Sequence, residues 1–214
     1  MKILAVYGSN YGQAQAVLQR VTAVLEGRGH TVSVFKGNAI PADLAVEGFD
    51  AVVVAASIIL GHYQTYIRDF VKRHHTALCA LPTAFVSVNS TAPESMPEWR
   101  DTAQRYVQQF LKQTAWAPRW TATFSGALRY RRYGPVTRWI VKMINRRRGG
   151  PTDTSRDYEF TDWHAVDRFA EDLAEALAAQ VHSTPTTTDV LPRELGRLDP
   201  RRPGPIGARG HHGR

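Results

Sequence analysis

Two short stretches hold residue types able to do chemistry. The first is YGSNYGQA, from Tyr7 to Ala14, which follows directly on an apolar run. Gly8 and Gly12 permit positive φ and close backbone approach, while Ser9, Asn10 and Gln13 add hydrogen-bonding side chains, so a phosphate is the natural guest. A glycine turn that merely joins a strand to a helix is the simpler alternative. The wording rules out two common nucleotide sites, since neither Gly-x-x-x-x-Gly-Lys-Ser/Thr nor Gly-x-Gly-x-x-Gly is present. A monophosphate remains. The second stretch runs from Arg129 to Arg148 and contains Arg129, Arg131, Arg132, Arg138, Lys142, Arg146, Arg147 and Arg148 with no acid. Those cations equal the whole formal excess of +8. Charge gathered in this way makes a local field that attracts an anionic partner.

The first stretch is placed by alternating elements. Lys2 to Tyr7 reads as a buried strand, and from Ala14 the residues Val17, Leu18, Val21, Val24 and Leu25 recur at helical spacing until Gly27 and Gly29. Thr31 to Phe35 is a second strand. Ala51 to Ala55, apolar throughout, reads as a central strand covered on both faces. Tyr66, Ile67, Phe70 and Val71 give one helical stripe, expected over Tyr63 to His75; Thr83 to Val88 is a fourth strand. Trp99 to Leu111 is helical, with Tyr106, Val107, Phe110 and Leu111 inward. Trp120 to Ser125 is a fifth strand and Trp163 to Val181 a last amphipathic helix. Strands alternating with helices imply a parallel sheet with right-handed crossovers. In such a sheet ligands bind beyond the carboxyl ends of the strands, where the YGSNYGQA loop lies.

Cys79 is the only cysteine, which excludes an internal disulfide and any cysteine-based metal site, and it reads as a small core residue. No apolar run approaches the length of about 20 residues of a spanning helix. The start, Met1 to Leu4, lacks the pattern of a signal peptide, so a cytoplasmic location is expected. Residues 183–214, rich in Pro, Gly, Thr and Arg and closing on Gly-His-His-Gly-Arg, are expected to be a disordered tail rather than a metal site.

The phosphate loop resembles that of flavodoxins, whose pattern is Ser/Thr-x-Thr-Gly-x-Thr and whose ligand is FMN; Ser9 and Gly12 match, while Tyr11 and Ala14 replace two threonines. Four further stretches, ASIILGHYQTYIRDFVKRH (Ala56 to His74), PTAFVSVN (Pro82 to Asn89), SGALRYRRY (Ser125 to Tyr133) and GGPTDTSRDYEFTDW (Gly149 to Trp163), are similar to the flavodoxin-like, menaquinone-dependent protoporphyrinogen oxidases. The last two are absent from simple flavodoxins. The resemblance implies an α/β fold, a doubly wound five-stranded parallel sheet of order 2-1-3-4-5, spanning residues 1–182 with a basic helical insert at about 126–160. It implies FMN as cofactor, a porphyrinogen substrate and a membrane quinone as acceptor, with residence on the inner face of the cell membrane.

On this resemblance the phosphate is held by Ser9, Asn10, Tyr11, Gly12, Gln13 and Ala14. The flavin ring lies between Ser57, Ile58, Gly61, His62 and Tyr63 on one side and Ser87, Val88, Asn89 and Ser90 on the other. The Gly61 carbonyl is placed to meet the reduced ring, and Leu60 stands where many flavodoxins have an aromatic. His62 and Tyr63 are the ionisable side chains of the first ring loop; His62 either relays a proton or caps the helix behind it, and Tyr63 then packs its edge.

Pro135 to Arg148 reads as a helix with Val136, Trp139, Ile140, Met143 and Ile144 on one face and Arg138, Lys142, Asn145 and Arg146 opposite. Two readings stand: a helix lying in an anionic membrane interface, or one covering the end of the sheet with its cations solvated. Arg129, Arg131 and Arg132 are alternatively partners for porphyrin propionates. Nucleic-acid binding ranks lower, because no nucleic-acid fold pattern accompanies the charge. Three rivals remain: an electron carrier without a substrate, disfavoured by the basic charge; a quinone reductase fed by NAD(P)H; and a module that has lost its flavin.

Overall fold

The computed structural model describes residues 1–89, 97–147 and 149–183, the side chains of 97–100 and 181–183 excepted. Ser90, Arg148 and the sequence from Thr184 onward, including the paired histidines, lie outside the described residues.

Apolar runs with no polar alternation become strands covered on both faces. Here β1 (Lys2–Gly8), β2 (Thr31–Lys36), β3 (Ala51–Ile58), β4 (Thr83–Asn89) and β5 (Trp120–Ser125) form one parallel sheet in the order β2-β1-β3-β4-β5. The register pairs Val6 with Val54 and Val54 with Phe85, so the strand ends stay level across the centre. Every residue of β3 and β4 is buried.

Alternate side chains of β1 point to opposite faces and meet different helices. Ile3 and Ala5 pack with α1 (Gln13–Gly27) and α6 (Trp163–Ser183), whereas Leu4 and Val6 join the cluster of α2 (Thr65–Arg73), α3 (His75–Ala80) and α4 (Pro97–Thr114). Burying each such Leu, Ile or Val stabilises by about 1.5–3 kcal/mol. Trp116, fully enclosed behind β4, donates its indole N–H to Thr83 Oγ1 at 3.3 Å.

Two expectations change. The single helix over Tyr63 to His75 is two helices, broken at His74, whose ψ of 22° departs from the helical range. Cys79 is exposed, because the short α3 turns Ala77 and Leu78 to the core and leaves the next position in solvent; its sulfur lies 3.6 Å from His75 Nε2.

After β5 the chain leaves the sheet. Two short antiparallel strands, β6 (Ala127–Leu128) and β7 (Tyr158–Glu159), bracket the basic segment, and Phe160 N–H donates to the Gly126 carbonyl across its base. Between them lie a single 3-10 turn, Tyr130–Arg132, and α5 (Pro135–Arg147). Leu128, Tyr130 and Tyr133 form a small separate core with Val141, Tyr158 and Phe160.

Candidate functional site

The loop between β1 and α1 is shaped by Gly12, which sits at φ 93° as the N-cap of α1. A side chain there would be held in the left-handed region at a cost of about 1–2 kcal/mol. Ser9, buried, accepts a hydrogen bond from Gly12 N–H at 2.9 Å through its hydroxyl and so fixes the turn. No side chain caps α1, so the amides of its first turn and the positive end of its dipole face the loop. The binding groups are therefore backbone N–H groups, which suits an anion of one phosphate.

The side chains expected to help are mostly engaged elsewhere. Gln13 gives its amide N–H groups to Glu159 Oε1 at 2.6 Å and Thr161 Oγ1 at 2.8 Å, and its carbonyl accepts from Arg129 Nη2 at 2.9 Å. It ties α1 to the insert. Ala14 is wholly buried in the core, leaving only its backbone at the site. Tyr11 packs edge-on against Tyr133 at 4.5 Å between centroids, while Asn10 is exposed at the loop tip.

The loop after β3 closes through a tight turn. Ile59 and His62 exchange both backbone hydrogen bonds at 3.0 Å, and the two residues between them, Leu60 and Gly61, have φ of 49° and 85°. Positive φ at both central positions is the demand of a type I′ turn. Glycine meets it freely; Leu60 does so under strain, with its side chain 48% exposed. Ser57 Oγ accepts from Gln64 Nε2 at 3.0 Å beneath this turn.

Several ring-loop residues face away from the cleft. Tyr63 points inward, its hydroxyl 2.8 Å from Ser87 Oγ and its ring against Phe85 and Phe110; burial pushes its phenol well above the usual range. Ser87 is fully enclosed, whereas Val88, though buried, borders the cleft beside Gly126. Tyr63 and Ser87 can meet a ligand there only through backbone. His62 is exposed and caps nothing, since Gln64 stands at the N-cap of α2.

The structure brings Ser9, Tyr11, Ser57, Ile58 and Asn89 together around a shallow cleft that Gly126 and Tyr133 also line. A second cleft adjoins the outer side of the turn, lined by Gly61, His62, Arg68 and Tyr106. The sequence did not point to Arg68, Tyr106, Glu159 or Thr161, because each is joined to the site by the fold and not by a local motif. The donor set fits FMN: a glycine turn beneath an uncapped helix start for the phosphate, and the carboxyl ends of β3 and β4 beside it for the ring.

The basic segment departs from expectation at two residues. Arg129 is not free for propionates or lipid, because Glu159 Oε2 lies 2.6 Å from its Nη2. Arg138 is half-buried, giving an Nη2 proton to the Tyr133 carbonyl at 3.0 Å. The face of α5 turned to the protein carries Val141 and Asn145, whose amide bonds back to the Val141 carbonyl. The start of the apolar stripe is turned outward, Val136 70% and Trp139 64% exposed beside exposed Lys142, Arg146 and Arg147, whereas Ile140, Met143 and Ile144 are half-buried.

Comparison with known proteins agrees with this geometry. A family model described as a flavodoxin domain matches residues 4–155. The protoporphyrinogen IX dehydrogenase [quinone] of Escherichia coli (strain K12) is 36% identical over 175 residues, covering 81% of this chain and 95% of that protein. The protein of the same name from Leishmania major is 33% identical over 193 residues, covering 88% of this chain and 81% of its own. Among solved structures, oxidised flavodoxin 1 from Bacillus cereus superposes with a TM-score of 0.51 at 12% identity, over 82% of this chain and 98% of that one, a likeness of fold.

Proposed function

The chain belongs to the flavodoxin-domain family, among the relatives named protoporphyrinogen IX dehydrogenase [quinone], and from that premise we propose an FMN-dependent enzyme that oxidises protoporphyrinogen IX at the expense of a membrane quinone. The observation that carries this reading is the uncapped start of α1 beneath left-handed Gly12, opening into the cleft between the ends of β3 and β4. The backbone amides of Asn10, Tyr11, Gln13 and Ala14 hold the phosphate, while Gly12 N–H, engaged by Ser9 Oγ, shapes the turn. The backbones of Ser57, Ile58, Gly61, His62, Tyr63, Ser87, Val88 and Asn89 hold the ring. FMN, when bound, supplies the two-electron oxidant.

Protoporphyrinogen loses six electrons and six protons in becoming protoporphyrin, so three quinones are reduced to quinols for each product. In this reading His62, whose exposure on the outer side of the Leu60-Gly61 turn supports the role, accepts a proton from substrate. Arg68, in the same cleft, offers a guanidinium to a carboxylate-bearing ring system.

Among the described residues no helix is long and apolar enough to cross a membrane. The outward stripe of Val136 and Trp139, flanked by cations, supports docking in an anionic membrane interface, where the quinone resides. Tyr133 lines the cleft and α5 begins at Pro135, so the docking helix starts at the edge of the site.

Anaerobic mixing of flavin-loaded protein with protoporphyrinogen IX tests the reading. Bleaching of the flavin absorption, reversed by a menaquinone analogue, is the expected result. Bleaching by NAD(P)H and not by protoporphyrinogen would favour a quinone reductase, and a protein that takes up no FMN would end the reading.

A further inference from the structure

The geometry points to Arg132 as a clamp on the cofactor phosphate, delivered to the loop by the basic insert; this rests on the FMN reading above. Arg132 Nη1 donates to the Tyr11 carbonyl at 3.3 Å and lies 3.5 Å from where a Cβ on Gly12 would stand. Among the described residues no other cation of the insert stands beside Gly12. Arg129 is consumed by Glu159, Arg138 turns to the Tyr133 carbonyl, and Lys142, Arg146 and Arg147 are exposed along α5. Among the described residues no carboxylate lies within ion-pair distance of Arg132. One of its five N–H donors is used by the Tyr11 carbonyl, and the rest of the fork is available.

The position is held by the backbone around it. Arg132 N–H bonds the Arg129 carbonyl at 2.9 Å within the 3-10 turn. The next residue, Tyr133, is buried, packs on Tyr11 and accepts from Arg129 N–H at 3.1 Å. The guanidinium is thus anchored beside the phosphate loop at both ends of its reach.

The loop needs such a charge. A phosphate monoester carries about −1.5 to −2 at neutral pH, and a helix terminus answers with only about half a positive charge. The side chains of the loop are neutral: Ser9 Oγ accepts the Gly12 amide and keeps one O–H to donate, and Gln13 is committed to Glu159 and Thr161. Arg132 supplies a full charge in a planar fork suited to phosphate.

The test compares FMN with riboflavin, which lacks the phosphate, by fluorescence titration of the full-length apoprotein and its variants. Arg132→Gln is expected to weaken FMN about tenfold while leaving riboflavin affinity unchanged. Arg132→Lys, a point charge without the fork, is expected to fall between. The FMN affinity of the parent protein should also fall with added salt more steeply than that of Arg132→Gln. Equal losses for FMN and riboflavin would make Arg132 only a brace on the Tyr11 carbonyl and overturn the proposal. Unchanged FMN affinity in Arg132→Gln would overturn it too. A parent protein that binds neither flavin would instead defeat the FMN reading itself.

Discussion

Trp139→Ala separates the two readings of α5 by two measurements with opposite expectations. An indole side chain presents up to about 250 Å², so an exposure of 64% leaves about 160 Å² in water. Removing all of that from water stabilises by about 4 kcal/mol at 25 cal/mol per Å², and a helix lying half-sunk in the interface recovers about 2 kcal/mol. That is roughly a 30-fold loss of partition for Trp139→Ala. Exposed Val136 adds about 1 kcal/mol on the same basis. Reversal of Lys142 and Arg146 to Glu removes a further attraction of about 1 kcal/mol for each cation near an anionic leaflet.

The assay is co-sedimentation with vesicles of anionic and of zwitterionic lipid, at low and high salt. Thermal stability is the second measurement. Loss of a core tryptophan costs about 3–5 kcal/mol, whereas truncation of an exposed one stays within about 0.5 kcal/mol. Trp139→Ala should therefore lose vesicle binding and keep its Tm and its flavin. Unchanged partition would refute the docking role, and a large fall in Tm would show that the stripe packs against the protein after all.

Other consequences follow from the site's supports. Glu159→Ala leaves both Gln13 and Arg129 without their carboxylate; with the pair about one-third exposed, the loss is about 1–2 kcal/mol, read as a Tm lowered by about 2–4 °C per kcal/mol, and an unchanged Tm would count against the bridge. Leu60→Asn relieves left-handed strain, since Asn tolerates φ near 49°, and should raise stability by about 0.5–1 kcal/mol in a denaturant titration; a decrease would mean that Leu60 earns its place by packing. Burial pushes the Tyr133 phenol up to about 12 and raises that of Tyr63 as well. A phenol whose folded pKa exceeds its unfolded value of about 10 stabilises fully below that pH and loses the contribution as pH climbs towards the folded value. Stability should hold to about pH 10 and decline above it, and Tyr133→Phe should flatten that decline; an identical alkaline limb in the variant would refute the assignment.

Much of the sheet was legible because its strands are buried on both faces. Ala51 to Ala55 has no polar residue, and such a run has one place in an α/β fold. The helices declared their stripes by spacing. The break between α2 and α3 was hidden, since neither glycine nor proline marks His74, and β6 and β7 are two residues each, too short to show a period. The turn between β1 and α1 was legible through its glycines, of which Gly12 takes positive φ. The strained turn was only half so, because Leu60 gives no sign of positive φ. Periodicity also revealed that α5 has an apolar face but not which side the protein occupies; that was decided by Asn145 and Val141 docking on the Tyr130 core. The expected roles of Gln13 and Arg129 changed for a related reason: their partner, Glu159, is distant in sequence and arrives only when β7 pairs with β6.

The basic segment shows why the sum of its charges carries less information than their positions. Arg129 is neutralised by Glu159 and serves to fasten the insert to the first residue of α1. Arg132, three residues on, reaches the turn that α1 begins from. Lys142, Arg146 and Arg147 stand in solvent beside Trp139. A cation paired at 2.6 Å contributes little field at a distance, whereas unpaired ones on an exposed helix act over about a Debye length, 8–10 Å. The segment is thus divided between a structural bond, a charge beside the loop between β1 and α1, and a set of exposed cations on α5. Because one short chain of residues, from Arg129 through Tyr133 to α5, links all three, a helix docked as proposed would be joined through Tyr133 and Tyr11 to the loop between β1 and α1.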